Sequence, residues 1–541
     1  MSASPQRTMQ AKRNATPTAQ HAPRAWLTIP TGEWAARLTL VGVVIALHNA
    51  LELPRDAISA TLGKPLTGLI VFVILSVAIG LLLVALRPQP ISWRWLHARP
   101  VQVVILLLTL GAGVVGVRQI VVAFAGAGAT PIYSNDGTTL DQYAAQQLVE
   151  GHNPYVTTDI ISAVNLYGQK KYYVTPLHRG AFASLPLTQP PSQKQMTAVF
   201  DTEPAGQPNK VVEFESHVSY PALSFLPLVP LVWLGLPNMA PFFMLCYLGL
   251  GALLIVSAPP ELRLWVGLLA LGDAPFLNAA AIGDLDVLYM LLIFMAWLWR
   301  DRPVASTITL GLAIAAKQLA WFYLPFYAIL VWRERGWRAA VTRLAGAGAI
   351  FLAINGPFIA ANPRAWLSGV LAPQVDPMFP LGNGLVRLSL SGLFPLAPSW
   401  VYTGLELLAM LACIAWYWRY GKDKPELGFA LATLPLFFAW RSLTTYFYFV
   451  ALPAFGLLVA RQWREGRMAQ AGMASPTRGA SVSTASQAGW APNATSVNQG
   501  AFLTRIALAA QGRGPAPTMA ANQPHRGDAA SAPRHSRRRR R

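Results

Sequence analysis

The chain has 541 residues, of which 54% are hydrophobic and only 12% are charged, and its mean hydropathy is +0.39. Soluble domains carry about 25% charged residues, so this composition excludes an ordinary soluble protein and indicates a multi-spanning membrane protein. Much of the net charge of +20 lies in the tails and in short loops between apolar runs. That distribution is typical of membrane proteins and argues against nucleic-acid binding.

Both ends of the chain are predicted to be disordered cytoplasmic segments, covering residues 1–35 and 462–541. They are rich in Ala, Ser, Thr, Pro, Gly and Gln and lack apolar periodicity. The basic run "RHSRRRRR" (Arg534 to Arg541) is interpreted as an arm attracted to anionic lipid.

Apolar runs between the tails predict about twelve transmembrane helices, since each pass needs roughly 20 apolar residues. They lie near 36–53, 66–86, 101–125, 239–257, 263–281, 285–300, 304–316, 319–333, 343–360, 398–418, 427–440 and 444–461. Two further runs, 219–235 with three prolines and 381–396 with an arginine, are predicted to lie along the outer surface or to re-enter from it. With that arrangement the basic loops and both tails are cytoplasmic. A full crossing at 219–235, the alternative, would turn Arg300 and Arg302 outward.

The predicted fold is therefore an all-α polytopic membrane protein with a large first external loop that carries short amphipathic helices. Residues 36–100 form two extra N-terminal transmembrane helices. Residues 101–461 form the transmembrane core, and 126–218 are its external loop.

The external loop opens with "SNDGTTLDQYAAQQLVEGHNPY", residues 134–155. Thr138 and Asp141 have the spacing of a capping box, which predicts a surface-lying amphipathic helix at 139–150 that ends at Gly151. This gives Asp141 a structural role as one interpretation. Asp136 lies in the Asn-Asp-Gly turn and is either a turn residue or an acid placed for general-base work.

Four segments in order resemble motifs of the C-type integral-membrane glycosyltransferases, most closely family 87, the polyprenyl-phosphate-mannose-dependent mannosyltransferases. They are residues 135–155, "SYPALSFLPLVPL" (Ser219 to Leu231), "GDLDVLYMLLIFMAWLWRDR" (Gly283 to Arg302) and "GLAIAAKQLAWFYLPF" (Gly311 to Phe326). The sequence departs from the family pattern at Ala222, Asp284, Asp286 and Ala320, and by the two extra N-terminal helices.

The resemblance implies a C-type glycosyltransferase that moves a sugar, expected to be mannose, from a polyprenyl-phosphate donor at the outer face. The acceptor is expected to be a glycolipid or cell-envelope glycan, and transfer to proceed with inversion. Asp136 matches the catalytic carboxylate of the family, which would act as general base and deprotonate the acceptor hydroxyl. The expected partners are this donor, this acceptor and membrane lipids, with no cofactor and no nucleic acid.

Lys317 and Arg441 are the predicted ligands of the donor phosphate, because charge builds on the departing phosphate in the transition state. Lys317 interrupts an apolar run, where an unpaired ammonium is costly. The alternative is a snorkelling lysine and an interface-anchoring arginine. Asp284 is expected to cap a helix. The predicted substrate-binding residues are Asp141, Tyr143, Asn153, Tyr155 and Asp286.

Two other interpretations concern metal binding and transport. His152 and His217 with Glu213 and Glu215 do not follow a metal-ligand spacing, so we expect exposed loop residues and no metal. A transporter or flippase of lipid-linked or polar solutes would also suit broken helices and intramembrane charge, but its usual inverted repeat is not evident.

Overall fold

The computed structural model describes residues 30–53, 55–131, 133–207, 210–422 and 424–474. The disorder predicted for residues 1–29 and 475–541 lies outside these described residues. Within them, two predicted boundaries are wrong: the first helix begins at Gly32, and the last one continues to Ala474. Arg461 pairs with Glu465 one turn later at 3.0 Å, and Arg464 reaches Asp301 at 2.8 Å. These ion pairs extend the last helix beyond its apolar part.

Four α-helices precede the external loop. They are α1 Gly32–Leu51, α2 Arg55–Leu62, α3 Lys64–Ala85 and α4 Arg99–Ala125, with a 3-10 turn at Arg94–His97. α4 has 27 residues and is apolar on all sides. Valine and leucine side chains along it are more than one third exposed, as expected for a helix that faces lipid.

The segment 126–218, which the sequence predicts to be an external loop, folds around its own small core. Its helices are α5 Asp136–Val149, α6 Pro154–Thr157, α7 Ile160–Tyr167 and α8 Gln193–Phe200, with 3-10 turns at Lys171–Tyr173 and Gly180–Phe182. Buried side chains of this core include Leu140, Ile160, Phe182, Phe200 and Phe214. α5 buries residues on most of its sides, so it does not lie flat on a membrane surface as expected.

The remaining helices form the apolar body. They are α9 Val229–Trp233, α10 Ala240–Ser257, α11 Arg263–Gly272, α12 Ala274–Ala281, α13 Asp286–Leu298, α14 Pro303–Ala316, α15 Leu324–Arg335, α16 Trp337–Ala361, α17 Pro363–Val375, α18 Val386–Leu390, α19 Ser399–Tyr420, α20 Pro425–Leu431 and α21 Thr445–Ala474. Further 3-10 turns lie at Ala222–Ser224, Leu226–Leu228, Pro260–Leu262, Gln318–Tyr323 and Leu434–Phe438. The chain is an all-α membrane protein.

In the described part of the chain, six helices are long and apolar enough to cross a bilayer: α1, α3, α4, α10, α16 and α19. A seventh pass results if the segments 260–272 and 274–281, bent by 60°, are counted as one. α13 and α14, with 13 and 14 residues, reach only about 20 Å each. The twelve predicted passes are therefore not confirmed.

Neither the proline-rich run 219–235 nor the arginine-bearing run 381–396 forms one long helix. The helical turns within 222–233 are broken, and 381–396 holds only β1 Leu381–Gly382 and the five-residue α18. β1 pairs in parallel with β2 Arg441–Ser442, with Leu381 opposite Arg441. This pairing fixes Arg441 near the segment that precedes α18.

Candidate active site

A cavity of about 1590 Å³ lies between the external loop and the ends of the core helices. Its wall combines aromatic rings with ionisable side chains. The aromatic residues include Tyr172, Tyr173, Tyr220, Trp321, Trp440 and Tyr446. The ionisable residues include Glu52, Asp136, Asp141, Glu215, Asp284, Asp286, Lys317, Asp376, Arg387, Glu406 and Arg441. Rings of this kind suit the flat faces of sugars, and the charged groups suit a phosphate and a reacting hydroxyl.

Asp136 is the first residue of α5, not a turn residue ahead of the helix as expected. Asn135 caps this helix, since its side chain accepts a hydrogen bond from the Thr138 N–H at 2.9 Å. The capping box predicted at Thr138 is therefore wrong. Thr138 is buried and donates its hydroxyl to the Gly283 carbonyl at 2.6 Å. The helix N-terminus that results favours a negative charge at Asp136.

The carboxylate of Asp136 is half-buried and lines the cavity. Its Oδ2 accepts a hydrogen bond from the Thr175 N–H at 2.6 Å. Burial raises the pKa of Asp136 above its ordinary value, while the Thr175 hydrogen bonds and the charge of Arg441 act in the opposite direction. A carboxylate of raised basicity that faces a cavity is suited to accept a proton.

Asp141 is fully buried and does not cap the helix that carries it. Its Oδ1 accepts a hydrogen bond from the Ser224 hydroxyl at 2.7 Å. Burial raises the pKa of Asp141 to about 7. Asp141 is nevertheless among the residues that line the cavity, as Asp136 is.

Lys317 and Asp286 meet in the cavity wall as a buried ion pair, with 9% and 3% of their side chains exposed. The Lys317 ammonium also lies 4.7 Å from the centre of the Tyr220 ring. Lys317 ends α14, and Asp286 begins α13. Asp284 accepts a hydrogen bond from the Asp286 N–H at 3.0 Å. The N-cap position of α13 is occupied by Leu285, not by Asp284 as expected.

Arg441 enters the cavity from β2 and donates a hydrogen bond to the Phe379 carbonyl at 3.4 Å. Gly382 on the facing strand has a φ of +129°, and a Cβ there would lie 2.0 Å from the Ser442 carbonyl oxygen. Only glycine allows the two strands to approach this closely. The position of Arg441 therefore depends on a residue in the run that precedes α18.

Three predicted substrate-binding residues, Tyr143, Asn153 and Tyr155, are not among the residues that line the cavity. Asn153 caps α6 by accepting the Tyr155 N–H at 3.1 Å. Tyr155 is buried and donates its hydroxyl to the Tyr220 carbonyl at 2.8 Å. Tyr143 is half-buried on α5. Of the three, Tyr155 contacts the cavity wall from behind, through Tyr220.

Sequence reasoning missed a cluster of Glu215, His217 and Asp376, whose potential ligand atoms lie within 4.8 Å of one another. Glu215 is only 3% exposed, so the expectation that it is an exposed loop residue is wrong. Its backbone is held by pairing with residues 175–177, and this carries its side chain inward. The Glu-x-His spacing was visible, but its third member lies more than 150 residues further along the chain.

Residues 218–443 match the model of glycosyltransferase family 87. No curated protein and no solved structure matches the chain. The matched segment contains Asp286, Lys317, Asp376 and Arg441, whereas Asp136 precedes it. The match confirms the predicted resemblance and the enzyme class, and it favours a glycosyltransferase over a transporter.

Proposed function

We propose that this protein is a family 87 glycosyltransferase and that it moves a sugar, most simply mannose, from a polyprenyl-phosphate donor to a lipid-linked or cell-envelope hydroxyl. Asp136 is the general base of this reaction. Lys317 and Arg441 bind the donor phosphate. The observation that carries the proposal is that the half-buried carboxylate of Asp136, at the start of α5, lines the same cavity as Lys317 and Arg441.

The acceptor hydroxyl loses its proton to Asp136 as its oxygen attacks the anomeric carbon. The bond from that carbon to the lipid phosphate breaks, and the sugar inverts because a single displacement occurs. A base of raised pKa takes this proton more readily than an ordinary carboxylate does, provided that it is ionised beforehand. The Thr175 N–H holds Asp136 in its orientation.

The leaving lipid phosphate gains negative charge as the glycosidic bond breaks. Cations fixed in advance stabilise that charge without having to reorganise during the reaction. Lys317 is held by Asp286 and by the Tyr220 ring, and Arg441 is held by the Phe379 carbonyl. Both therefore point into the cavity before the donor arrives.

An external location of this cavity and cytoplasmic tails complete the proposal. The basic segments 300–302 and 333–343 would then lie on the cytoplasmic side, as the distribution of Arg and Lys in membrane proteins favours. The architecture of about twelve passes belongs to the same proposal, with the short helices α13 and α14 completed by their neighbouring turns.

Membranes that contain the protein should transfer label from radioactive polyprenyl-phosphate mannose to an endogenous acceptor. The Asp136→Asn variant should lose about 10²- to 10⁴-fold of this activity, the range contributed by a general base. Asp201→Asn is the matched control, because Asp201 is an exposed carboxylate of the same loop paired with Lys171. Undiminished transfer by the Asp136 variant would exclude this residue as the base.

A further inference from the structure

Three separate segments of the chain meet beside Asp136. Residues 175–177 form one bridge to Phe214 and another to Met378. The Leu177 N–H donates to the Glu213 carbonyl at 2.8 Å, and the Glu215 N–H donates to the Thr175 carbonyl at 3.0 Å. The backbone therefore fixes where the side chains of these segments point.

This arrangement brings together Glu215, His217 and Asp376, which we call the carboxylate–imidazole cluster. One ligand atom from each residue lies within 4.8 Å of the others. The side chain of Glu215 is 4% exposed, that of Asp376 is 17% exposed and that of His217 is 30% exposed. Glu215 and Asp376 also line the cavity, so the cluster opens towards it.

The charges within the cluster are incompletely balanced. Oε1 of Glu215 accepts the backbone N–H of His217 at 3.0 Å and lies 3.5 Å from Nδ1 of its ring. Oε2 is buried and has no hydrogen-bond partner among the described residues. Arg179 approaches the Asp376 carboxylate only to 3.5 Å, and its own side chain is 35% exposed. Two neighbouring carboxylates with a buried unpaired oxygen need a positive charge or a proton between them.

We infer that the carboxylate–imidazole cluster binds a divalent cation of the Mn²⁺ type through Glu215, His217 and Asp376. Carboxylate oxygens suit Mn²⁺ and Mg²⁺, and an imidazole nitrogen shifts the preference towards transition metals. Three protein ligands would leave coordination positions open, and two of the three ligand residues line the cavity. The spacing of these residues in the sequence alone suggests no metal site, so this inference departs from the expectation drawn from the sequence.

The cation would lie close to the proposed base. Thr175 donates its N–H to Asp136 and accepts the Glu215 N–H with its carbonyl, so one residue links the two groups. A cation with open positions can hold an oxygen of the sugar or of the lipid phosphate against Asp136. That role rests on the proposed function, whereas binding of the cation itself does not.

The test is titration of the purified, EDTA-treated full chain with Mn²⁺, followed by electron paramagnetic resonance. The wild type should bind about one Mn²⁺ and show spin-echo modulation from an imidazole nitrogen, and His217→Ala should abolish that modulation. Glu215→Gln and Asp376→Asn should each weaken binding by at least about tenfold, since even indirect partners of a metal site contribute this much. Glu150→Gln, an exposed carboxylate of the same loop, should bind as the wild type does.

Three results would overturn the inference: no Mn²⁺ binding by the wild type, no nitrogen modulation in the wild type, or binding by Glu215→Gln and Asp376→Asn that is as tight as that of the wild type. A cluster held together by a shared proton alone would give the first of these. Because the wild type supplies two of the readouts, a variant that fails to fold leaves the test intact. Asp136→Asn should bind Mn²⁺ normally even when it transfers no sugar, which separates this inference from the proposed function.

Discussion

Exchange of Asp286 for asparagine should destabilise the free protein and yet strengthen its binding of an anionic lipid. Asp286 neutralises Lys317 in a place where both side chains are more than nine-tenths buried. Removing one partner of a buried ion pair costs about 3–5 kcal/mol, because the other charge is left without compensation. Asp284 lies within electrostatic reach of Lys317, so we expect the lower end of this range.

Lys317→Met should behave differently, since it removes the cation that the phosphate would contact. Both single variants should unfold at a lower temperature than the wild type in detergent. The double variant should lose less stability than the sum of the two single losses, because it leaves no buried charge unpaired. Asp201→Asn breaks the exposed pair with Lys171 and should cost at most about 1 kcal/mol.

Addition of a polyprenyl phosphate separates the roles of the two residues. It should raise the unfolding temperature of Asp286→Asn more than that of the wild type, because the phosphate replaces the missing carboxylate. It should raise that of Lys317→Met less. Equal shifts in the two variants would refute contact between Lys317 and the donor phosphate, and unchanged stability in both would refute the buried pair.

Three further outcomes follow from individual residues. Transfer needs ionised Asp136, so the rate of transfer should fall as the pH falls through the raised pKa of Asp136. Because the charge of Arg441 lowers that pKa, Arg441→Gln should move the acid limb of the kcat/KM profile to higher pH. Gly382→Ala should lower the free energy of unfolding by about 1–3 kcal/mol from backbone strain alone, because residue 382 has a φ of +129° and its Cβ would lie 2.0 Å from a facing carbonyl. Thermal unfolding measures this loss. Gly348→Ala is the control, because a Cβ at residue 348 would meet nothing within 4 Å. Burial raises the pKa of Asp141 from 3.8 to about 7, so between these pH values the folded wild type retains a proton that the unfolded chain has lost. The stability of the wild type should therefore fall as the pH rises through this range. Asp141→Asn should remove that fall, measured by unfolding scans at pH 5 and pH 8.

Much of the fold was predictable because apolar runs and basic loops are local features of the sequence. The first three long helices follow the predicted runs closely. Asp284 accepts the first N–H of α13, and Asp286 pairs with Lys317. The count of passes was less predictable, since α13 and α14 are too short to be recognised as spans by length. Whether such helices cross depends on their neighbours, which periodicity does not report.

The errors at the site share a physical cause. The segment from Asn135 to Asp141 offers two competing caps, and Asn135 prevails because Thr138 finds a partner at Gly283, far along the chain. Glu215 looks like a loop residue because its burial comes from pairing with distant backbone. Long-range contacts of this kind decide between local alternatives and leave no periodic signal.

Tyr220 links the two halves of the proposed chemistry. A Cβ placed on Gly137 would lie only 3.1 Å from the Tyr220 hydroxyl, so Tyr220 packs against the start of the helix that carries Asp136. Its ring lies under Lys317 at 4.7 Å, and its carbonyl accepts the Tyr155 hydroxyl. Tyr220 therefore lies between the start of the helix that carries Asp136, the proposed base, and Lys317, the proposed phosphate ligand. Tyr155, which donates its hydroxyl to the Tyr220 carbonyl, thus contacts a residue of the cavity wall without lining the cavity itself.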